Sequence, residues 1–251
     1  MKRGILLLLF VFTAFAFFAC DEATTLAPVT TAAPTTTAAP SQSTAAPTTT
    51  VSQVETTAQP TTAGTTEYVN LNQPLAQEFE NAIEGKHVYL TTIGQTADMD
   101  TVYNILEFYV YATAPTELAV DVTMDNLLMA SEVPAGSIVI IVPGASSKGM
   151  GAAGTDQAAE QARAVAFSAR AAAEEITVFV VHTGGSQRRG VESDPLITAS
   201  STSASLMLVI DTANSDGFFD GLAETYDTPV YYYSTATLLV PPFRQIFNKM
   251  E

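Results

Sequence analysis

Residues 137–142 read Ser-Ile-Val-Ile-Ile-Val, and residues 177–182 read Thr-Val-Phe-Val-Val-His. Between these runs, residues 157–175 form an alanine-rich stretch with the pattern of a helix. Continuous runs of β-branched residues are typical of strands that are covered on both faces, and a helix between two such strands makes the βαβ unit of a parallel sheet. These residues therefore predict an α/β fold.

The same alternation of strands and helices extends to both sides of this unit. It predicts further strands at residues 88–93, 116–122, 205–211 and 229–233, and further helices at residues 98–111, 214–226 and 241–249. We expect residues 67–251 to form one domain. The expected architecture is a three-layer, Rossmann-like parallel sheet with the flavodoxin-like strand order 2-1-3-4-5.

The helices carry further local signals. In helix 157–175 we expect the apolar stripe to consist of Ala158, Ala162, Val165, Ala166, Ala169 and Ala173. The helix before strand 205–211 is expected to begin with Asp194 as its N-cap and Pro195 at its first helical position. Residues 67–85 are expected to form a helix that packs at the start of the domain.

The chain begins with Met1-Lys2-Arg3 and a nearly unbroken apolar run over residues 4–18. This pattern predicts a secretory signal peptide over residues 1–19, and the run is short for a membrane-spanning helix. The segment Phe17-Phe18-Ala19-Cys20 resembles a bacterial lipobox, although that pattern prefers Leu first and a small residue second. The resemblance implies that Cys20 carries fatty acyl chains such as palmitate and anchors the protein at the extracytoplasmic face of the cell membrane. An ordinary signal peptide and an uncleaved anchor are the alternatives.

The composition changes abruptly after Cys20. Residues 24–66 consist mostly of Thr, Ala and Pro, with Glu55 as their single charge. Such a segment buries too little apolar surface to fold, so residues 20–66 are predicted to be a lipidated cysteine followed by a disordered tether. Its prolines make it a semi-rigid spacer. Whether it is a passive spacer or an O-glycosylated stalk is left open by the sequence.

Charge and cysteine content exclude several classes of function. The chain has 10 Lys+Arg against 26 Asp+Glu, a formal net charge of -16, which would repel it from a nucleic acid duplex. Its single cysteine, Cys20, excludes disulfides within the chain and cysteine-rich zinc sites.

The strand-exit loops contain the best candidate binding residues. Because the carboxyl ends of parallel strands meet at one edge of a sheet, loops 94–98, 143–156, 182–194 and 211–217 are expected to come together. Three of the 10 basic residues lie in two of these loops, beside glycines that expose backbone N–H groups. We therefore predict a site for a small anion, with no cofactor. Its candidate residues are Gln95, Ser146, Ser147, Lys148, Gly149, Gly184, Gly185, Arg188 and Arg189. Alternatively, Arg188 and Arg189 pair with Glu192, Asp194 or other nearby carboxylates.

Two weaker motifs occur in the same loops. Gly149-x-Gly151-x-x-Gly154 matches the dinucleotide fingerprint literally, but Pro143 to Lys148 separate it from the strand, and the next strand ends in His182 instead of an acid. The segment 211–217 resembles a calcium loop but has Ala223 where the last ligand, a glutamate, belongs. No metal site is predicted, and Asn214 and Ser215 are expected to cap the following helix.

Two other classes of function remain open. A hydrolase would use His182 as its base with Ser146, Ser147 or Ser186 as the nucleophile, although no G-x-S-x-G motif is present. A protein-interaction domain would expose an apolar patch, with Tyr231, Tyr232 and Tyr233 as candidates.

Three loop sequences together resemble a family of bacterial secreted proteins classed as a domain of unknown function, of the 6305 type. The matching residues are 94–96, 146–154 and 184–190, and the resemblance covers about residues 86–248. Thr96 stands where serine is expected. The resemblance implies a Rossmann-like fold and an extracytoplasmic location, and it implies no activity.

Overall fold

A computed structural model of the chain describes residues 70–111 and 122–247. The predicted signal peptide, Cys20 and the tether lie outside these residues. Residues 67–69, 112–121 and 248–251 of the predicted domain also lie outside them.

The described residues contain one sheet of six parallel strands, in the order β2-β1-β3-β4-β5-β6. The order confirms the predicted 2-1-3-4-5 arrangement, and the sixth predicted strand, at residues 229–233, lies at one edge. The strands are β1 Val88–Ile93, β2 Val122–Met124, β3 Ile138–Pro143, β4 Thr177–His182, β5 Leu206–Ile210 and β6 Val230–Tyr233.

Helices cover both faces of the sheet, which confirms the three-layer α/β prediction. One face packs against α1 and α6, and the other packs against α3, α4 and α5. The helices are α1 Asp98–Asn104, continued by a π-helix at Ile105–Tyr111, then α2 Ser147–Ala153, α3 Gln157–Ala172, α4 Ser193–Ser201, α5 Phe218–Tyr226 and α6 Val240–Ile246.

The central strand β3 shows why its sequence has no polar alternation. Ile138, Ile140 and Val142 point into one core, and Val139 and Ile141 point into the other, with all five fully buried. Burying one such side chain contributes about 1.5–3 kcal/mol. Every position of the strand therefore favours an apolar residue.

The predicted apolar stripe of α3 is wrong. Val165 is exposed, as are most of the alanines assigned to that stripe, whereas the face toward the sheet carries Glu160, Arg163, Ala164, Phe167 and Ser168. Alanine buries little surface wherever it lies, so Phe167 determines which face of the helix packs inward. That choice brings two charged side chains into the interior.

The predicted start of α4 is also wrong. The helix begins at Ser193 after Glu192, and no side chain caps it. The Asp194 carboxylate instead accepts hydrogen bonds from the Arg189 side chain and from the backbone N–H of Gly190. A charged partner in the preceding loop has displaced the local capping interaction.

Residues 70–85 do not form the predicted helix, apart from the short 3₁₀ turn Gln77–Phe79. The first of them run beside β6, where the N–H of Asn72 donates to the carbonyl oxygen of Tyr232 at 2.7 Å. Pairing with the sheet edge requires extended backbone, which excludes a helix there. The segment does pack on the domain, through Leu75, Phe79 and Ile83.

Candidate functional site

A cleft lies at the carboxyl ends of β1 and β3. The chain leaves β1 toward the face covered by α1, and it leaves β3 toward the face covered by α3. Such a switch point is where open parallel sheets bind ligands. The cleft has a volume of about 480 Å³, within the range of small-molecule sites. Its walls come from α1, α2 and the loops after β1, β2, β3 and β4.

The structure brings five of the nine predicted binding residues to this cleft: Gln95, Ser146, Lys148, Gly149 and Arg188. The other four, Ser147, Gly184, Gly185 and Arg189, are not among its lining residues. Sequence reasoning missed Thr92, Thr96, Ala97, Met99, Asp100, Asn126, Ala152 and Ala153, which also line it. Asn126 follows β2, whose exit loop was not assigned to the edge.

The loop after β1 turns sharply into the cleft. Gly94 and Gln95 both have positive φ, 91° and 58°. A β-carbon at Gly94 would lie 2.6 Å from the carbonyl oxygen of Gly144, so only glycine fits there. A left-handed backbone at a residue such as Gln95 costs roughly 1–3 kcal/mol, and the surrounding contacts must hold it in place.

A buried ion pair beneath the cleft provides those contacts. Glu160 and Arg163 on α3 are fully or almost fully buried, and the Arg163 Nη1 donates to both Glu160 carboxylate oxygens at 2.8 Å. Glu160 also contacts the loop after β1. Its Oε2 accepts the backbone N–H of Gly94 at 2.7 Å. The pair therefore fixes the turn at the end of β1.

Arg163 also ties the loop after β2 to this turn. Its guanidinium donates to the carbonyl oxygens of Thr92, Asn126 and Leu128 at 3.1–3.3 Å. A signal for this cluster was present in the sequence, as a glutamate and an arginine three residues apart in an alanine-rich helix. The periodicity did not show that these two residues lie on the inward face.

The side chain of Gln95 is committed to the same scaffold. Its Nε2 donates to the carbonyl oxygen of Asn126 at 2.8 Å, and its Oε1 accepts the Asn126 side-chain N–H at 3.0 Å. Gln95 therefore positions the loops that form the cleft. Asn126 lines the cleft, and its Oδ1 accepts no hydrogen bond from another described residue.

The loop after β3 forms α2, a short helix that the sequence pattern did not predict. Ser146 caps it by accepting the N–H of Gly149 at 3.1 Å. The helix comes very close to the β1 loop, since a β-carbon on Gly149 would lie 2.4 Å from the carbonyl oxygen of Gln95. Gly154 ends the helix with φ of 70°. Packing and capping thus account for two of the three glycines in the dinucleotide-like motif.

Hydrogen-bond donors line one part of the cleft. The hydroxyls of Ser146 and Thr96 each accept a backbone N–H, and their hydrogens have no acceptor among the described residues. Lys148 is exposed and forms no ion pair or hydrogen bond with another described residue. Two hydroxyls and an ammonium group are therefore free to bind a ligand.

Arg188 adds a second cation to the cleft. Its Nε lies 3.5 Å from Oδ1 of Asp98, and none of its N–H groups makes a hydrogen bond to another described residue. The side chain lies over Gly184, where a β-carbon would come within 2.0 Å of the Arg188 Cγ. Gly184 therefore serves the site by leaving room for Arg188.

Arg189 forms ion pairs with nearby carboxylates, which was the alternative prediction for the two arginines. Its guanidinium binds Asp194 and Asp216 and lies 3.8 Å from the centre of the Phe218 ring. The hydrogen bond from Arg189 holds the pKa of Asp216 below its usual value. Arg189 thus joins the loops after β4 and β5 and has no free donor group directed at the cleft.

His182 is fully buried at the end of β4. Its Nδ1 lies 3.3 Å from the carbonyl oxygen of Pro143, and its Nε2 lies 3.2 Å from that of Gly185. Burial lowers the pKa of the imidazole. Because its ring nitrogens face backbone carbonyls instead of a hydroxyl of the cleft, the geometry gives no support to a hydrolase with His182 as its base.

The other motifs have structural roles. Asn214 Oδ1 accepts the backbone N–H groups of Phe219 and Asp220 in the first turn of α5, but the N-cap position belongs to Gly217 and not to Asn214 or Ser215 as predicted. Within residues 70–111 and 122–247, no cluster of three His, Cys, Asp or Glu side chains is arranged to hold a metal ion.

Tyr231, Tyr232 and Tyr233 are buried and form no exposed patch. Residues 70–79 cover them, with the Tyr231 hydroxyl accepting the N–H of Ala76 and the Tyr233 hydroxyl donating to the carbonyl oxygen of Gln73. The interaction surface that these tyrosines were expected to offer is absent from the described residues.

The rim loops and the sheet lie within a segment that matches a known family. The family described as "Domain of unknown function (DUF6305)" matches residues 85–247. The chain belongs to this family. No curated protein and no solved structure matches the chain. In the described part of this DUF6305 protein, none of the helices has the length and apolar character needed to cross a bilayer.

Proposed function

We propose that this DUF6305 protein is a lipid-anchored, extracytoplasmic binding protein whose α/β domain holds a small anionic ligand in the cleft between β1 and β3. The anchor would be Cys20, and residues 20–66 would be the spacer between the membrane and the domain. Contact with the membrane is proposed through the anchor alone. No nucleic acid partner is proposed, because the chain is strongly acidic.

The observation that carries this proposal is the meeting of Lys148 and Arg188 in one cleft. They come from loops after β3 and β4, and the chain has only 10 basic residues among 251. Lys148 has no partner among the described residues, so its charge is available to a ligand. A cation at the mouth of a concave site in an acidic protein concentrates small anions there.

The hydroxyls of Ser146 and Thr96 complete the set of donors. Each already accepts a backbone N–H, so a ligand oxygen is the natural acceptor for its hydrogen. The committed side chains of Gln95 and Arg163 hold these loops in place before a ligand arrives, which reduces the entropy lost on binding.

The test is isothermal titration calorimetry of the full chain, purified in a mild detergent, with phosphate, sulfate, acetate and succinate at constant ionic strength. We expect saturable binding of at least one anion. Lys148→Ala removes a charged hydrogen bond of about 1.5–3 kcal/mol and should weaken binding about 10- to 100-fold. Lys86→Ala, which removes an exposed cation outside the cleft, is the control and should leave the affinity unchanged. The proposal fails if no anion binds or if Lys148→Ala binds as tightly as the unaltered chain.

The anchor is tested separately in cells that express the full chain with an alkyne-bearing palmitate analogue. We expect the chain to carry the label and to appear in the membrane fraction. The Cys20→Ser variant should carry no label and should not appear in the membrane fraction. Equal labelling of both forms would refute the anchor without bearing on the cleft.

A further inference from the structure

We infer that the ligand of this cleft is zwitterionic, with its anionic group at Lys148 and Arg188 and an ammonium group at Asp100 and Asn126. This inference rests on the proposed function and adds the class of ligand. The juxtaposition behind it is an unpaired cation and an unpaired carboxylate that line one cleft.

Asp100 on α1 and Lys148 on α2 both line the cleft, and both are exposed. Neither forms an ion pair with the other or with a different described residue. Two opposite charges that share a cleft without meeting leave room for a ligand that supplies both counter-charges.

Further oxygen acceptors lie on the residues that line these cavities with Asp100. Asn126 lines the same cleft, and its Oδ1 accepts no hydrogen bond from a described residue. Asp125 accepts the N–H of Leu127 through Oδ1, and its Oδ2 has no donor among the described residues. An ammonium group has three donors and no acceptor, so it matches a wall built of such oxygens.

A second cavity, of about 590 Å³, adjoins the cleft. It shares Met99, Asp100 and Asn126 with the cleft. Its remaining walls include Tyr103, Met124 and Asp125. An aromatic ring beside two carboxylates is a favourable environment for an organic cation. The groove therefore changes from cationic, at Lys148 and Arg188, to anionic, at Asp100 and Asp125.

The same charges disfavour a ligand that is only anionic. Asp98 already partly neutralises Arg188, which leaves Lys148 to balance the Asp100 carboxylate in the same cleft. A ligand without a positive group would meet that carboxylate uncompensated. A ligand with an amine satisfies both ends of the groove.

The test compares matched ligands by isothermal titration calorimetry on the full chain at constant ionic strength. The probes are ω-aminoalkylphosphonates and ω-aminocarboxylates with two to six carbon atoms, each paired with the parent compound that lacks the amine. We expect the best amine-bearing probe to bind at least about tenfold more tightly than its parent. Asp100→Asn should weaken the amine-bearing probe and strengthen the parent, which removes most of the difference. Lys148→Ala should weaken both.

Glu84→Gln, which removes an exposed carboxylate outside the groove, is the control and should preserve the difference between the probes. Circular dichroism melts verify that each variant is folded. If every parent binds as tightly as its amine-bearing partner, the inference is overturned and the anion site stands. If Asp100→Asn leaves the difference intact, the amine lies elsewhere and the inference is overturned. If no probe binds although an anion of the first titration does, the inference is overturned and the anion site stands.

Discussion

Replacing Arg163 with methionine should be among the most destabilising single changes in the domain. The substitution keeps a long side chain on α3 but removes the cation that lies 2.8 Å from both oxygens of the fully buried Glu160. The N–H of Gly94 would then be the main remaining donor to that carboxylate. The carbonyl oxygens of Thr92 and Leu128 would lose their guanidinium donors as well.

The size of the effect follows from this burial. Removing one partner of a buried ion pair costs about 3–5 kcal/mol, because the other charge stays buried without compensation. A domain of ordinary stability, about 5–15 kcal/mol, therefore loses about a fifth or more of it. With a urea dependence of about 2 kcal/mol per M, the unfolding midpoint should fall by roughly 1.5–2.5 M.

The assay is urea unfolding of the full chain, followed by circular dichroism. Glu175→Gln is the matched control, since it breaks an ion pair with Arg170 in which Glu175 is 51% exposed. Exposed pairs contribute about 0–1 kcal/mol, so the control midpoint should shift by less than about 0.5 M. An Arg163→Met variant within 1 kcal/mol of the unaltered chain would refute the role assigned to the pair.

Three further substitutions test other parts of the structure. Gly184→Ala should weaken anion binding by displacing Arg188, because the new β-carbon would lie 2.0 Å from the Arg188 Cγ. Calorimetry with the tightest-binding anion measures the change in affinity. Because the hydrogen bond from Arg189 lowers the pKa of Asp216, that pair stabilises the fold above the unfolded pKa near 3.8 and loses its effect as the pH falls below it. In acid titrations, Asp216→Asn should therefore lose less stability between pH 5 and pH 2 than the unaltered chain. An equal loss of stability in the two proteins would contradict this. Gln245→Leu should lower the melting temperature by several degrees, since it removes the buried hydrogen bonds to the N–H and carbonyl oxygen of Leu75, and no change would show that this contact is dispensable.

The sheet was predictable because its signal is local. Each buried strand carries a run of apolar residues that no helix periodicity explains, as at residues 138–142, and these runs are separated by helical stretches. The strand order was predicted from the flavodoxin-like order 2-1-3-4-5, which is common among open parallel α/β sheets. Strand β2 was predicted at residues 116–122, of which the structure describes only Val122; its described part, residues 122–124, is too short to have much pattern of its own.

The orientation of α3 was not predictable from its apolar pattern. Alanines occur around the whole helix and favour no face, so the stripe through Val165 looked as apolar as the true one. The inward face is set by Phe167, together with a glutamate that reaches the N–H of Gly94, 66 residues earlier in the chain. Only the tertiary fold shows that contact.

The two adjacent arginines show the same limit at the site. Arg188 and Arg189 have identical chemistry and neighbouring positions, and the sequence assigned both to the cleft. In the structure Arg188 lines it, whereas Arg189 lies between Asp194 and Asp216. Which of the two lines the cleft depends on the carboxylates that other parts of the chain bring near, and sequence spacing does not report this.

The buried ion pair separates stability from binding in a way that further variants can measure. Replacing both Glu160 and Arg163 with apolar residues of similar size removes the uncompensated charge, and such exchanges are often neutral or stabilising. The double change would nevertheless leave the N–H of Gly94 and the carbonyl oxygen of Leu128 without their present partners. The Gly94–Gln95 turn and the loop after β2 would then lose the contacts that hold them in register. We therefore expect the double variant to recover stability relative to Arg163→Met but not anion affinity, because the pair serves the geometry of the cleft more than the stability of the fold.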